Sequence, residues 1–142
     1  LKLSDFLLMA NLSSKNENIC VIAESDPFLA QLFQRFALKS EFNVLHTQTG
    51  EEVLELSKAK FPALVILDTD LPGKVRGWQA AQALRSDKST SQIPLILSSW
   101  LLKPDLIELL GFEPVYLQKP DLRFEDFIEA VQTAEVKSIP KS

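Results

Sequence analysis

Five short apolar runs punctuate this chain at regular intervals: ICVIA (19–23), FNVLHT (42–47), ALVIL (63–67), IPLILSS (93–99) and PVYLQ (114–118). Runs such as ICVIA and ALVIL do not alternate apolar with polar residues, so they read as strands covered on both faces. The segments between them carry helical spacing instead. A strand–helix alternation repeated five times in about 120 residues predicts an α/β fold, with a parallel sheet, helices on both faces and right-handed crossovers.

The helical segments have their own signals. Asp26 and Pro27 form a cap and a first-turn proline, and Phe28, Leu29, Leu32, Phe33 and Phe36 supply an apolar stripe. Thr49 to Lys60 follows as a helix through Val53, Leu54 and Leu56, and Trp78 to Arg85 turns Ala80, Ala81 and Leu84 toward the sheet. Pro104 to Leu110 is a short helix, and Phe124 to Val136 closes the pattern with Phe127, Ile128 and Val131 inward. Pro94 sits near the start of its strand, where a missing backbone donor is least harmful.

The regular pattern spans residues 19–136 and defines one domain within the 142 residues, a length that supports a real core. Residues 1–18 read as an extension: a short amphipathic helix through Leu3, Phe6, Leu7 and Ala10, then the polar linker NLSSKNEN. That helix either packs on the domain or ends something upstream. The first residue is Leu1 rather than Met, which reads as a trimmed chain or a fragment. Residues 137–142 form a frayed tail.

A net charge of −4 argues against broad contact with nucleic acid, which needs a basic face to neutralise phosphates. The one cysteine, Cys20, lies inside ICVIA; it reads as a small core residue in a reducing, cytoplasmic setting. No stretch approaches the ~20 apolar residues of a membrane span, and LKLSDFLLMA lacks the order of a secretory signal.

In folds of this class ligands gather outside the carboxyl ends of the strands. Glu24, Asp26, Asp68, Ser99 and Lys119 all fall at that rim. Asp68 ends the run LVILD, and a carboxylate placed there is costly unless paired, hydrogen-bonded or metal-bound. Oxygen donors of this kind suit Mg²⁺ or Ca²⁺. A carboxylate cluster with an ammonium could also receive a phosphoryl group, with an Asp as nucleophile. Carboxylates gather as plain helix caps as well. His46, the single histidine, ends its strand and reads as a surface residue.

Asp68, Leu71–Pro72, Ser99 at the end of IPLILSS, and the pair Lys119–Pro120 together resemble the receiver domain of two-component response regulators. The resemblance runs from about Ile19 to Val136. It implies a flavodoxin-like, doubly wound five-stranded sheet of order 2-1-3-4-5. It implies that Asp68 is the phosphoacceptor, that Lys119 contacts the phosphoryl group, and that Ser99 moves onto it. It makes Tyr116 an aromatic switch residue and assigns a Mg²⁺-binding backbone carbonyl to Asp70. Glu24 and Ser25 match the acidic pair that holds the metal, with Asp26 as a further candidate ligand.

Four departures stand out. Ser25 occupies a position where the family usually has Asp, so Mg²⁺ should bind more weakly. The segment Pro72 to Gly77 is longer by one residue and carries Lys74 and Arg76, which read as local charge balance. Gly111 to Lys119 is also longer by one. Trp100 stands where a small residue is usual, at the pocket mouth, where it could gate access. The expected function is a phosphoacceptor module, not an enzyme, served by a histidine kinase or phosphotransfer protein. The alternatives are a docking domain that no longer phosphorylates, or an unrelated α/β binding protein or small enzyme. A homodimer or output domain would use the face of the fourth helix, fifth strand and fifth helix.

Overall fold

The computed structural model describes residues 18–136. Five strands, β1 (Ile19–Ala23), β2 (Asn43–Thr47), β3 (Leu64–Asp68), β4 (Leu95–Ser99) and β5 (Val115–Gln118), form one sheet in the order β2-β1-β3-β4-β5. Every pairing is parallel. Between and after them run α1 (Pro27–Lys39), α2 (Gly50–Lys60), α3 (Gly77–Ser86), α4 (Lys103–Leu110) and α5 (Phe124–Thr133).

The sheet is a wall between two cores, and strand alternation decides which residue enters which. Cys20 and Ile22 of β1, with Leu64 and Ile66 of β3, face α1 and α5, where they meet Leu29, Phe33, Phe127 and Val131. Val21, Ala23, Val65 and Leu67 point the other way, toward Val53 of α2, Ala80, Ala81 and Leu84 of α3, and Leu106 of α4. Residues of β1, β3 and β4 are almost all buried, whereas edge strands β2 and β5 are half open. Burying a side chain such as Phe33 or Phe127 completely stabilises the fold by roughly 1.5–3 kcal/mol. Cys20 is fully buried, as expected, and burial pushes its thiol pKa up.

Several local expectations need correction. Phe28 is not part of the inward stripe; it lies 71% exposed in the first turn of α1, and the buried ridge is Leu29, Phe33 and Ala37. The last helix ends at Thr133, because Glu135 takes the left-handed conformation (φ 59°) and turns the chain away. Val136 therefore lies beyond the helix, although it still packs against the α1/α5 core. Pro94 precedes β4 rather than opening it, and its carbonyl accepts from Val65 N–H. The expected N-terminal helix and the tail lie outside the described residues.

Two glycines are required by geometry. Gly111 ends α4 at φ 82°. Gly77 opens α3 so close to β3 that a Cβ there would stand 1.7 Å from the carbonyl oxygen of Asp68. That close approach sets α3 directly against the end of the strand that carries the site.

Candidate functional site

The carboxyl ends of β1, β3 and β5 bring Glu24, Asp68 and Lys119 together. Lys119 Nζ lies 3.2 Å from Asp68 Oδ1, and 3.0 Å and 3.1 Å from the two Glu24 oxygens. All three side chains are almost completely shielded from solvent. Asp68 Oδ1 also accepts from the backbone N–H of Asp70 at 2.9 Å, so the turn after β3 helps hold the carboxylate. Glu24 Oε2 accepts from Asp26 N–H at 3.1 Å, while Oε1, although near Nζ, has no donor aligned with it.

Two carboxylates thus share one ammonium, and Glu24 carries the consequence. Burial, the Asp68 charge and a hydrogen bond with Asp68 push its pKa up to about 7, against the opposing pull of Lys119. Glu24 therefore titrates around neutral pH instead of in the ordinary carboxylate range.

The hydroxyl of Ser99 lies at the end of β4, next to β3 and β5. It accepts from Thr69 Oγ1 at 2.8 Å and from Leu101 N–H at 3.1 Å. Its carbonyl accepts from Lys119 N–H at 2.8 Å, so the serine and the lysine are fixed relative to each other. Tyr116, half-buried on β5, donates its hydroxyl to the carbonyl of Leu101, and burial raises its pKa. The Lys119–Pro120 peptide is cis.

The remaining candidates are spread around this centre. Asp26 Oδ1 caps α1 by accepting from Phe28 N–H (2.9 Å) and Leu29 N–H (3.2 Å), which commits its carboxylate to the helix end. The side chain of Asp70 is exposed and pairs with Arg76 at 3.2 Å. Lys74 and Ser25 are exposed. Trp100 is 61% exposed and forms an open apolar step with Leu101 and Leu102. His46 is exposed, as expected, with Nε2 3.0 Å from the carbonyl oxygen of Glu24. Among the described residues, no three His, Cys, Asp or Glu side chains converge on one point. Sequence reasoning missed Thr69. Its only signal was its place next to Asp68, and its link to Ser99 depends on strand pairing.

The sequence profile of the response regulator receiver domain matches residues 20–132. The chain belongs to the response regulator receiver family. The polar-differentiation response regulator DivK of Brucella ovis is 28% identical over 116 residues, which cover 80% of this receiver and 92% of DivK. Histidine kinase P4 of Formosa agariphila is 28% identical over 114 residues, 78% of this chain but only 8% of that protein. Among solved structures, the receiver domain of sensor histidine kinase PA1611 from Pseudomonas aeruginosa superposes with a TM-score of 0.71 at 16% identity. The match covers 82% of this chain and 95% of that one, and that domain was crystallised with a magnesium ion coordinated in its active site cleft. At this identity the likeness speaks to the fold, and it agrees with the strand order above. The chain is thus a receiver domain of the response regulator kind used in two-component signalling. Among its described residues, no helix is long and apolar enough to cross a membrane.

Proposed function

We propose that this receiver accepts a phosphoryl group on Asp68 from a phosphohistidine of a histidine kinase or phosphotransfer protein. The observation that carries this reading is the buried 3.2 Å contact between Lys119 Nζ and Asp68 Oδ1. It places a fixed positive charge beside a carboxylate at the ligand-binding rim of the sheet. Oδ1 is taken by Lys119 and by Asp70 N–H, so Oδ2 is the attacking oxygen. The phosphorus–nitrogen bond of the donor breaks as the bond to Oδ2 forms, and the imidazole leaves with its electron pair and takes up a proton.

The donor set suits a Mg²⁺ ion. Glu24 and Asp68 offer carboxylate oxygens, one of them (Glu24 Oε1) buried without an aligned donor, and the backbone carbonyl of Asp70, as the family resemblance implies, would complete the set. Asp26 spends Oδ1 on the α1 cap and Ser25 brings no charge, which favours weaker holding of the ion than by a full acidic pair. When bound, the ion supplies positive charge to the phosphoryl oxygens. Lys119 neutralises the same oxygens from the other side, and Ser99 donates its hydroxyl proton to one of them.

Movement of Ser99 then biases Tyr116 between two positions and repacks the α4–β5–α5 face as a population shift. A groove of about 480 Å³ lies on that face, lined among others by Lys103, Tyr116, Gln118, Asp126 and Glu129. It is the surface for an output domain or a second copy. The domain modifies itself and transforms no outside substrate, so it works as a cytoplasmic switch and not as an enzyme.

The test is incubation with acetyl phosphate and Mg²⁺, followed by intact mass. The expected result is a gain of one phosphoryl group that Asp68→Asn abolishes. No gain over a wide Mg²⁺ range would replace this reading with a docking module that works unphosphorylated.

A further inference from the structure

Thr69 follows the proposed phosphoacceptor directly, and its backbone is pinned on both sides. Its N–H donates to Ser98 O at 3.1 Å, on β4, and its carbonyl accepts from Trp78 N–H at 3.2 Å, on α3. The side chain is buried, at 5% exposure. From this fixed point the hydroxyl reaches Ser99 Oγ at 2.8 Å. A serine hydroxyl has two acceptor positions and one proton to donate. Thr69 O–H and Leu101 N–H fill both acceptor positions. The carbonyl of Leu101 in turn takes the Tyr116 hydroxyl. One continuous chain of hydrogen bonds therefore runs from the residue after Asp68, through Ser99 and Leu101, to the ring of Tyr116.

We propose that Thr69 is a positioning residue, a latch whose hydroxyl holds Ser99, Leu101 and Tyr116 in the unphosphorylated arrangement. This rests on the reading of Asp68 as phosphoacceptor and Ser99 as the residue that moves. For Ser99 to swing onto a phosphoryl oxygen its Oγ leaves Thr69, so this one bond sets how readily the switch is thrown. The rest of the Thr69 side chain is packing and is kept by valine, which has nearly the same shape and no donor.

The chain has a single tyrosine, so 3-fluorotyrosine incorporated in the full chain gives one ¹⁹F resonance that reports Tyr116. In the unphosphorylated protein, wild type and Thr69→Ser should share a resonance. Thr69→Val should displace it, with the balance of Tyr116 environments shifted about five-fold, the scale of one net hydrogen bond. Ser99→Ala should displace it too, and adding Thr69→Val to Ser99→Ala should then change nothing more, because the latch acts only through Ser99. Thr69→Ala removes the same hydroxyl and serves if the valine variant does not fold. A Thr69→Val resonance that coincides with wild type, or an effect that is undiminished in the Ser99→Ala background, overturns the latch. None of these spectra needs a phosphoryl group. An absence of mass gain with acetyl phosphate would therefore count against the phosphoacceptor reading alone, and the resonances would still decide the latch.

Discussion

Glu24 and Lys119, 95 residues apart in the chain, form a buried ion pair at 3.0 Å, and Asp68 shares the same ammonium from 3.2 Å away. An arrangement with one positive and two negative groups, sealed from water, favours a proton on one carboxyl. Glu24 is that group.

Stability should therefore depend on pH through Glu24. Its pKa in the folded chain, about 7, exceeds the ordinary value of 4.5. The folded state binds the proton more tightly, so this contribution is full below pH 4.5 and is lost as pH rises through 7. Glu24→Gln removes the titration while keeping the shape. The difference in urea-unfolding free energy between wild type and Glu24→Gln should change by on the order of 2–3 kcal/mol between pH 4.5 and 8. A difference that stays flat over that range would show that Glu24 titrates normally.

Removing either partner of Glu24 should have opposite effects. Lys119→Met leaves two buried carboxylates without their cation and should cost about 3–5 kcal/mol at pH 8, less at pH 5, where Glu24 takes up a proton. Asp68→Asn leaves one acid on one ammonium, so the Glu24 pKa should fall, as read by carboxyl ¹³C shifts of Glu24 during a pH titration. Asp68→Asn should also fold with wild-type stability or better, while losing all phosphoryl uptake.

Gly77 should be intolerant of a side chain. A methyl group at this position meets the Asp68 carbonyl at 1.7 Å, so Gly77→Ala must push α3 away from β3. The expected loss is roughly 1–3 kcal/mol, measured by denaturant midpoint, together with slowed phosphoryl uptake because the acceptor strand shifts with it.

Metal affinity should separate Ser25 from Asp26. Ser25→Asp adds a charged oxygen at an exposed position beside Glu24 and should tighten Mg²⁺ binding about ten-fold, which is about 1.4 kcal/mol. Asp26→Ala should leave Mg²⁺ affinity unchanged and cost about 1 kcal/mol of stability through the lost helix cap. Mg²⁺ titration followed by tryptophan fluorescence measures the first effect and urea unfolding the second. Weakened Mg²⁺ binding in Asp26→Ala would make that residue a ligand after all.

Much of this protein could be read from the chain alone. The runs ICVIA, ALVIL and IPLILSS announce buried parallel strands because only a strand covered on both faces tolerates so little alternation. Asp26–Pro27 announces a helix start because capping and a fixed φ are local properties of two adjacent residues, and the structure bears this out. Asp68, Ser99 and Lys119 were visible as rim residues because each follows an apolar run. Local pattern misled where exposure depends on what packs nearby: Phe28 matches the helical stripe but looks out to solvent past the α1 ridge.

What the tertiary structure alone decided are the relations between residues far apart in the chain. Helical and strand periods say which way a side chain faces, but not which neighbour it meets. That Glu24, rather than Ser25 or Asp26, shares the ammonium with Asp68 follows from strand order and register, as does the bond from Thr69 to Ser99. Hydrogen bonds and ion pairs act over about 3 Å, a precision that periodicity in a sequence does not carry and that only the packed sheet supplies.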